Sequence, residues 1–221
     1  MTTFLFLRHA HSKANSQGIL AGQLEGIGLS KDGYAQVEKL SSALKDLKIN
    51  RIISSPMQRC LETVEALAKS KKKRVSIDKR LIEMNYGSWS GEKLSKLSRM
   101  KDWKVIQSKP STFRFPNGES FKELEARIES LLKQLSRKYP KETILIITHG
   151  DIVKIAASLT VGSDLDNFQK FAVNPCSLTT ISWSAKNRTL ISLNQKIVSI
   201  KGKKRKTRKS GNTLGGSKDV A

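Results

Sequence analysis

The 221-residue sequence has few cysteines and few histidines. It contains two cysteines, Cys60 and Cys176, and three histidines. Two thiols without CxxC spacing are too few for a disulfide framework, and no His/Cys cluster has the spacing of a zinc site. We therefore expect two buried or partly buried cysteines, no bound metal and no cofactor.

Long apolar runs are also lacking. No stretch approaches the ~20 residues needed to cross a bilayer. The short N-terminal apolar run has neither the basic leader nor the small-residue cleavage site of a signal peptide. The sequence thus favours a cytoplasmic protein without a transmembrane segment. Its hydrophobic content of 38% is that of a globular chain, and its length suits one ordinary domain.

Acidic residues are scarce. The sequence has 19 Asp and Glu residues and 41 Lys and Arg residues, which gives a net charge of +22. Residues 201–221 alone carry eight basic residues and one acid. We predict a folded domain over 1–200 and a disordered basic tail over 201–221. Such a tail could make weak, salt-sensitive contacts with nucleic acid or an anionic surface, although a merely solubilising tail explains it equally well.

Two short apolar segments end in histidine. Phe4–Leu7 stops at Arg8-His9, and the β-branched run Thr143–Thr148 stops at His149. Such runs are typical of strands that are covered on both faces. Ligands of an open parallel sheet bind beyond the carboxyl ends of its strands. If both strands are parallel and central, we expect the two imidazoles to open onto one crevice.

The remaining patterns alternate between strand and helix, which favours an α/β domain with a mostly parallel sheet. Further strands are predicted at 51–55, 75–78, 177–183 and 189–193. Helices are predicted after Ser30, from Pro56, after Ser120 and over about 152–159. The first of these is expected to bury Tyr34, Val37, Leu40, Leu44 and Leu47, and the second Met57, Leu61, Val64 and Leu67.

Other polar residues fall at junctions beside the predicted crevice. Arg59, with Ser54 and Ser55, lies where a strand passes into a helix, a position suited to holding an oxyanion. Asn15 could donate to a phosphate oxygen, and the glycine-rich loop 16–28 should form a rim of the site. A solvated arginine and a turn or capping asparagine are the alternatives that the sequence leaves open.

Glu83 lies in a segment rich in aromatic residues and glycine. Most such carboxylates are exposed. A loop that packs Tyr86 and Trp89 beside it would instead desolvate Glu83 and raise its pKa toward the range useful for acid catalysis.

Four motifs in this order resemble those of the histidine phosphatase superfamily, also called the phosphoglycerate mutase-like family. They are Arg8-His9-Ala10, Ser55-Pro-Met-Gln-Arg59, Glu83 with Tyr86-Gly-Ser-Trp-Ser-Gly91, and Thr148-His149-Gly150. The resemblance spans roughly residues 3–183. Ala10 departs from the family's usual glycine, and His11 stands where the family often has an acidic or small polar residue. We expect His11 to be a rim residue.

The resemblance implies a three-layer sandwich around a mostly parallel sheet. It also implies that His9 is the nucleophile and forms a phosphohistidine, while Glu83 protonates the leaving oxygen and then activates water. Arg8, Arg59 and a cationic His149 would hold the transferred oxygens, so that no metal is needed. Substrate-binding roles are expected for Asn15, Gly22, Gln23, Ser55 and Gly150.

Hydrolysis and mutase-type transfer are the two activities that the resemblance offers. The segment 92–118 leads into a Pro-x-Gly-Glu-Ser arrangement that is similar to the phosphatase branch. We therefore favour a phosphomonoester hydrolase acting on a small phosphorylated metabolite. A phosphoglycerate mutase-type transferase is the first alternative, and a non-catalytic polyanion-binding protein that uses its basic tail is the second.

Overall fold

The computed structural model describes residues 1–197, so the predicted basic tail lies outside the described residues. A six-stranded sheet crosses the domain in the order β3-β2-β4-β1-β5-β6. The strands are β1 (Thr2–Arg8), β2 (Arg51–Ser54), β3 (Val75–Ile77), β4 (Thr143–Thr148), β5 (Ser177–Trp183) and β6 (Arg188–Lys196).

The sheet is mostly parallel, as predicted. Strands β3, β2, β4 and β1 run parallel to one another, whereas β5 is antiparallel to β1 and forms a hairpin with β6. In the β1–β4 register Leu7 pairs with Ile147 and Arg8 with Thr148. The residue that follows each strand is a histidine, so His9 and His149 emerge side by side.

Helices cover both faces of the sheet and complete three layers. Alternate β1 side chains enter opposite cores, with Phe4 and Phe6 on one face and Leu5 and Leu7 on the other. The helices are α1 (Lys13–Gln17), α2 (Lys31–Ala43), α3 (Gln58–Ser70), α4 (Leu94–Leu97), α5 (Lys101–Ser108), α6 (Phe121–Lys138) and α7 (Gly150–Val161). Helices α2 and α3 bury their apolar residues with Leu5 and Leu7, and α6 and α7 with Phe4 and Phe6. No helix among residues 1–197 is both long enough and apolar enough to cross a membrane.

Two predicted helix faces are partly wrong. On α2, Val37 and Leu40 are buried, but Tyr34 is 50% exposed because it lies on the solvent side of the helix. Helix α3 begins at Gln58 rather than at Pro56, since Met57 is still extended at the N-cap, and Leu61 faces solvent. The helix predicted after Ser120 is present as α6, and a capping box formed by Ser120 and Glu123 opens it.

The first loop contains a short helix that the sequence analysis missed. Ser12 and Asn15 form a capping box that opens α1, and Gly18 ends the helix in the left-handed conformation at φ 63°. The segment 92–118 is partly helical, as predicted, through α4, α5 and a 3₁₀ turn over Pro110–Thr112.

The backbone at Gly87 touches the loop that precedes α6. Gly87 has φ +52°, and a Cβ there would lie 2.0 Å from the carbonyl oxygen of Pro116. Gly162, at the end of α7, has φ +65° but has nothing within 4 Å of such a Cβ. The two glycines therefore share a backbone conformation and differ in crowding.

We predict that Gly162→Ala lowers the free energy of unfolding by about 1–2 kcal/mol, the strain of a left-handed alanine. Gly87→Ala should lose a further ~1–3 kcal/mol because the loops must separate. Urea unfolding of both variants measures the difference. Equal losses would show that the loop contact carries no strain.

Candidate active site

The crevice at the carboxyl ends of β1, β4 and β2 holds a cavity of about 350 Å³. Arg8, His9, Arg59 and Glu83 line it, although they come from distant parts of the sequence. His149 lies directly behind, with its ring centroid 5.3 Å from that of His9. The structure thus brings together the five residues to which the sequence analysis gave catalytic roles.

His9 is a neutral imidazole with one nitrogen left free. Its Nδ1 lies 2.7 Å from the carbonyl oxygen of Ala10. Because a carbonyl only accepts, Nδ1 carries the hydrogen and Nε2 keeps its lone pair. Burial and the nearby charges of Arg59 and Arg8 hold the pKa of His9 well below its usual value. An imidazole in this state is a competent nucleophile.

Two arginines of the cavity wall, Arg8 and Arg59, each keep one buried N–H group without a partner in the described part of the chain. Arg8 donates through Nη1 to the carbonyl of Val173, and Arg59 donates through Nη2 to the carbonyl of Gly22 at 2.7 Å. Arg8 Nε and Arg59 Nη1 are buried and have no hydrogen-bond partner among residues 1–197. Buried donors without a partner are costly, whereas an oxyanion would satisfy both.

His149 is fully buried beside Arg59, and its cationic state while it holds a transferred oxygen stays a prediction. Its Nδ1 accepts from Arg59 Nη2 at 3.1 Å, and its Nε2 donates to Ser55 Oγ at 2.8 Å. Burial first, then the charges of Arg59, His9 and Arg8, hold its pKa well below the usual value.

Glu83 is a buried carboxyl group, 9% exposed. Its pKa is raised to about 7, mainly by burial and then by the negative charge of Asp151, while Arg59 and Arg8 act in the opposite direction. The carboxyl Oε2 lies 3.9 Å from His149 Nδ1. A group of this pKa can both give and take a proton near neutral pH.

Three residues of the cavity wall had not been assigned to the site from the sequence. Asp151, in the first turn of α7, accepts from the Tyr86 hydroxyl at 2.8 Å, and Lys154 Nζ lies 4.0 Å from its other oxygen. The signal for Asp151 was its place two residues after His149, in the first turn of a helix. Lys154 follows one turn later on the same face.

The predicted substrate-binding residues divide into two groups. Asn15, Gly22 and Gly150 line the cavity, although the Asn15 side-chain oxygen also caps α1. Ser55 and Gln23 are not part of the wall: Ser55 bonds to His149, and Gln23 Nε2 donates to the carbonyl of Glu83 at 2.8 Å. Ser55 and Gln23 therefore contact the catalytic candidates His149 and Glu83 from outside the cavity.

The remaining histidine and cysteines lie off the cavity wall. His11 bonds through Nδ1 to Ser30 Oγ at 3.0 Å. Cys60 and Cys176 are free and buried, as predicted, and burial raises the pKa of the Cys60 thiol to about 12. Among residues 1–197 no cluster of three or more His, Cys, Asp or Glu could hold a metal ion.

A family model described as the histidine phosphatase superfamily (branch 1) matches residues 4–196. Phosphoserine phosphatase 1 of Hydrogenobacter thermophilus is 26% identical over 196 residues, covering 88% of this chain and 92% of that protein. Phosphoglycerate mutase-like protein 4 of Arabidopsis thaliana is 28% identical over 153 residues, covering 67% and 66%.

A solved structure has the same fold. The crystal structure of phosphoserine phosphatase in complex with 3-phosphoglyceric acid from Entamoeba histolytica aligns with a TM-score of 0.80. It is 23% identical and covers 88% of this chain and 98% of its own.

We predict that Glu83→Gln stabilises the protein at alkaline pH. The pKa of Glu83 is about 7 in the folded protein against 4.5 for a free glutamate side chain. The folded state therefore keeps a proton that the unfolded state loses, and stability falls as pH rises from 4.5 to about 7. Glutamine removes this loss, which is on the order of 3 kcal/mol.

Urea unfolding at pH 4 and pH 8 measures this effect, and the gain should be present only at pH 8. Glu123→Gln is the control of opposite sign, because the pKa of Glu123 is lowered to about 2 by Arg114 and the α6 cap. It should destabilise at pH 8. A Glu83→Gln gain of equal size at both pH values would contradict the raised pKa.

Proposed function

The chain belongs to the histidine phosphatase superfamily, and we propose that it hydrolyses a small phosphomonoester through a phosphohistidine on His9. One observation carries the proposal. His9, whose Nε2 is free, lines one cavity with Arg8 and Arg59, each of which has an N–H group unpaired within residues 1–197, and with Glu83, whose carboxyl pKa is about 7.

In the first step, His9 Nε2 attacks phosphorus as the P–O bond to the leaving group breaks. The protonated form of Glu83 gives its proton to the departing oxygen, so an alcohol leaves rather than an alkoxide. The spreading charge on the transferred oxygens falls on the arginine N–H groups, which need no reorganisation.

In the second step, water attacks the phosphohistidine. The Glu83 carboxylate takes a proton from that water, the P–N bond breaks, and His9 recovers its neutral form. Phosphate leaves and Glu83 is again an acid. A pKa of about 7 suits a group that must act as acid and then as base within one turnover.

His149 changes its role when the anion arrives. A phosphate group brings negative charge close to the ring, which raises the pKa of His149 and favours a proton on its Nδ1. Nδ1 then no longer accepts from Arg59 Nη2, which keeps its bond to the Gly22 carbonyl, and Nδ1 donates to a transferred oxygen. Ser55 keeps the ring oriented through Nε2 throughout.

We also propose that residues 1–200 are the catalytic domain, because the family match ends at residue 196, close to that boundary. A cytoplasmic location is proposed because small phosphorylated metabolites are kept in that compartment by their charge.

The first test is turnover and phosphoenzyme trapping. We predict that the wild type releases phosphate from p-nitrophenyl phosphate and from some members of a metabolite panel that includes phosphoserine and 3-phosphoglycerate. ³²P-labelled substrate should leave an acid-labile, alkali-stable label on the protein. His9→Ala should lose the label and about 10³-fold or more of the activity.

His11→Ala is the matched control, since His11 is two residues away but bonded to Ser30 outside the cavity. It should keep both label and activity. An unlabelled active enzyme, or an active His9→Ala, would contradict the nucleophile. Interconversion of 3- and 2-phosphoglycerate without phosphate release would favour the mutase alternative.

A second prediction concerns the pH profile. Asp151→Asn removes the negative charge that helps to raise the pKa of Glu83, so that pKa should fall. Since the first step needs protonated Glu83, the alkaline limb of kcat/KM should move to lower pH. Asp102→Asn, the same change at an exposed site on α5, should leave the limb in place. An unmoved limb in Asp151→Asn would contradict the assignment of Glu83 as the acid.

A further inference from the structure

We propose that Arg127 and Glu119 are positioning residues for the general acid, an inference that rests on the function proposed for Glu83. Neither residue lines the cavity. Arg127 extends from α6 and Glu119 immediately precedes that helix. Together they fix the backbone segment 80–85, which carries Glu83, and we call the two side chains the positioning pair.

All three nitrogens of the Arg127 guanidinium group donate hydrogen bonds. Its Nε and Nη2 donate to the two carboxylate oxygens of Glu119 at 2.7 and 2.9 Å. Its Nη1 donates to the carbonyls of Arg80 and Ile82, and Nη2 also reaches the carbonyl of Glu83 at 3.4 Å. Three carbonyls of one irregular segment are thus tied to a single rigid planar group.

Glu119 holds the other end of the same segment. Its backbone N–H donates to the carbonyl of Asn85 at 2.8 Å, and its Oε2 accepts from the Asn85 N–H at 3.3 Å. The ion pair is largely buried, with side-chain exposures of 19% for Arg127 and 14% for Glu119. The segment is therefore held on both sides of Glu83.

The carboxyl group of Glu83 has little to hold it directly. Among residues 1–197 its one hydrogen bond is from the Met84 N–H to Oε1, at 3.1 Å. Its carbonyl, in contrast, receives Gln23 and Arg127. The carboxyl group therefore takes its position from the backbone, and the positioning pair sets that backbone. A misplacement of about 1 Å can cost ~10²-fold in rate.

A buried ion pair could instead serve the stability of the fold alone, and the leaving group distinguishes the two roles. An alkoxide is a strong base and must be protonated as it departs, whereas p-nitrophenolate is stable without a proton. A displaced general acid therefore slows alkyl phosphates selectively. A general loss of structure slows both classes of substrate equally.

The test compares kcat/KM for p-nitrophenyl phosphate and for the best alkyl ester of the metabolite panel. The value of kcat/KM reports the transfer of the phosphoryl group to His9 and not the later hydrolysis of the phosphohistidine. We expect Arg127→Lys, which keeps the charge but loses the fork, to lower the alkyl value by about 10–100-fold. The aryl value should change less than about 3-fold, within the range of an ordinary distant substitution. Glu119→Gln should show the same pattern in weaker form.

Arg51→Lys is the matched control. Arg51 makes a similar two-pronged pair with Glu142, at 2.7 and 3.2 Å, near the start of β2 at the opposite end of the sheet. This variant should leave both substrates unchanged. Retained aryl turnover in Arg127→Lys also shows that the variant is folded.

Glu83→Gln separates the two levels of the proposal. It should itself discriminate strongly against the alkyl ester, and if it does not, the acid assignment of Glu83 fails. A second outcome is that Glu83→Gln lowers kcat/KM selectively for the alkyl ester, while Arg127→Lys lowers kcat/KM for both esters equally or for neither. That outcome overturns the positioning role and leaves the proposed function standing.

Discussion

Two buried guanidinium groups without an anionic partner set the conditions for the whole site. Within residues 1–197 no carboxylate forms an ion pair with Arg8 or Arg59, and each keeps a buried N–H unpaired. Burial first, and then the positive charge of these two arginines, hold the pKa values of His9 and His149 well below the usual value. The same positive charge favours an anionic ligand, because negative charge offsets the cost of burying the arginines.

The sheet converts a sequence pattern into this geometry. Strands β1 and β4 are parallel neighbours whose register ends at Arg8 and Thr148, so the next residue of each is at the same height. The backbone N–H of His9 donates to the carbonyl of Thr148 at 2.8 Å, which ties the two strand ends together at the crevice. The imidazoles of His9 and His149 therefore lie side by side because the apolar segments that form β1 and β4 end at the same level of the sheet.

This explains what could be predicted from the sequence. Periodicity and run length identify the sheet, and residues such as His9 and Arg59, fixed by strand ends and helix starts, follow from them. The hydrogen-bond and packing partners of individual side chains could not be predicted in this way, because they depend on tertiary contacts. The lowered pKa of His149 depends on burial among charges from separate segments of the chain. Tyr34 faces solvent because neighbouring elements, not periodicity, decide which side of α2 is covered.

The loop that carries Glu83 shows why the site needs residues beyond those that touch a substrate. A carboxyl group that serves as acid near neutral pH must stay poorly solvated and weakly bonded, because strong donors or a paired cation would lower its pKa. Glu123 illustrates that outcome: Arg114 and the α6 cap bind it firmly, and its pKa falls to about 2. Glu83 therefore cannot be held by its own carboxylate. The position of the Glu83 carboxyl group therefore has to be set by its backbone. The strong ionic bonds form between Arg127 and Glu119, which hold that backbone without contacting the carboxyl group and so without lowering its pKa.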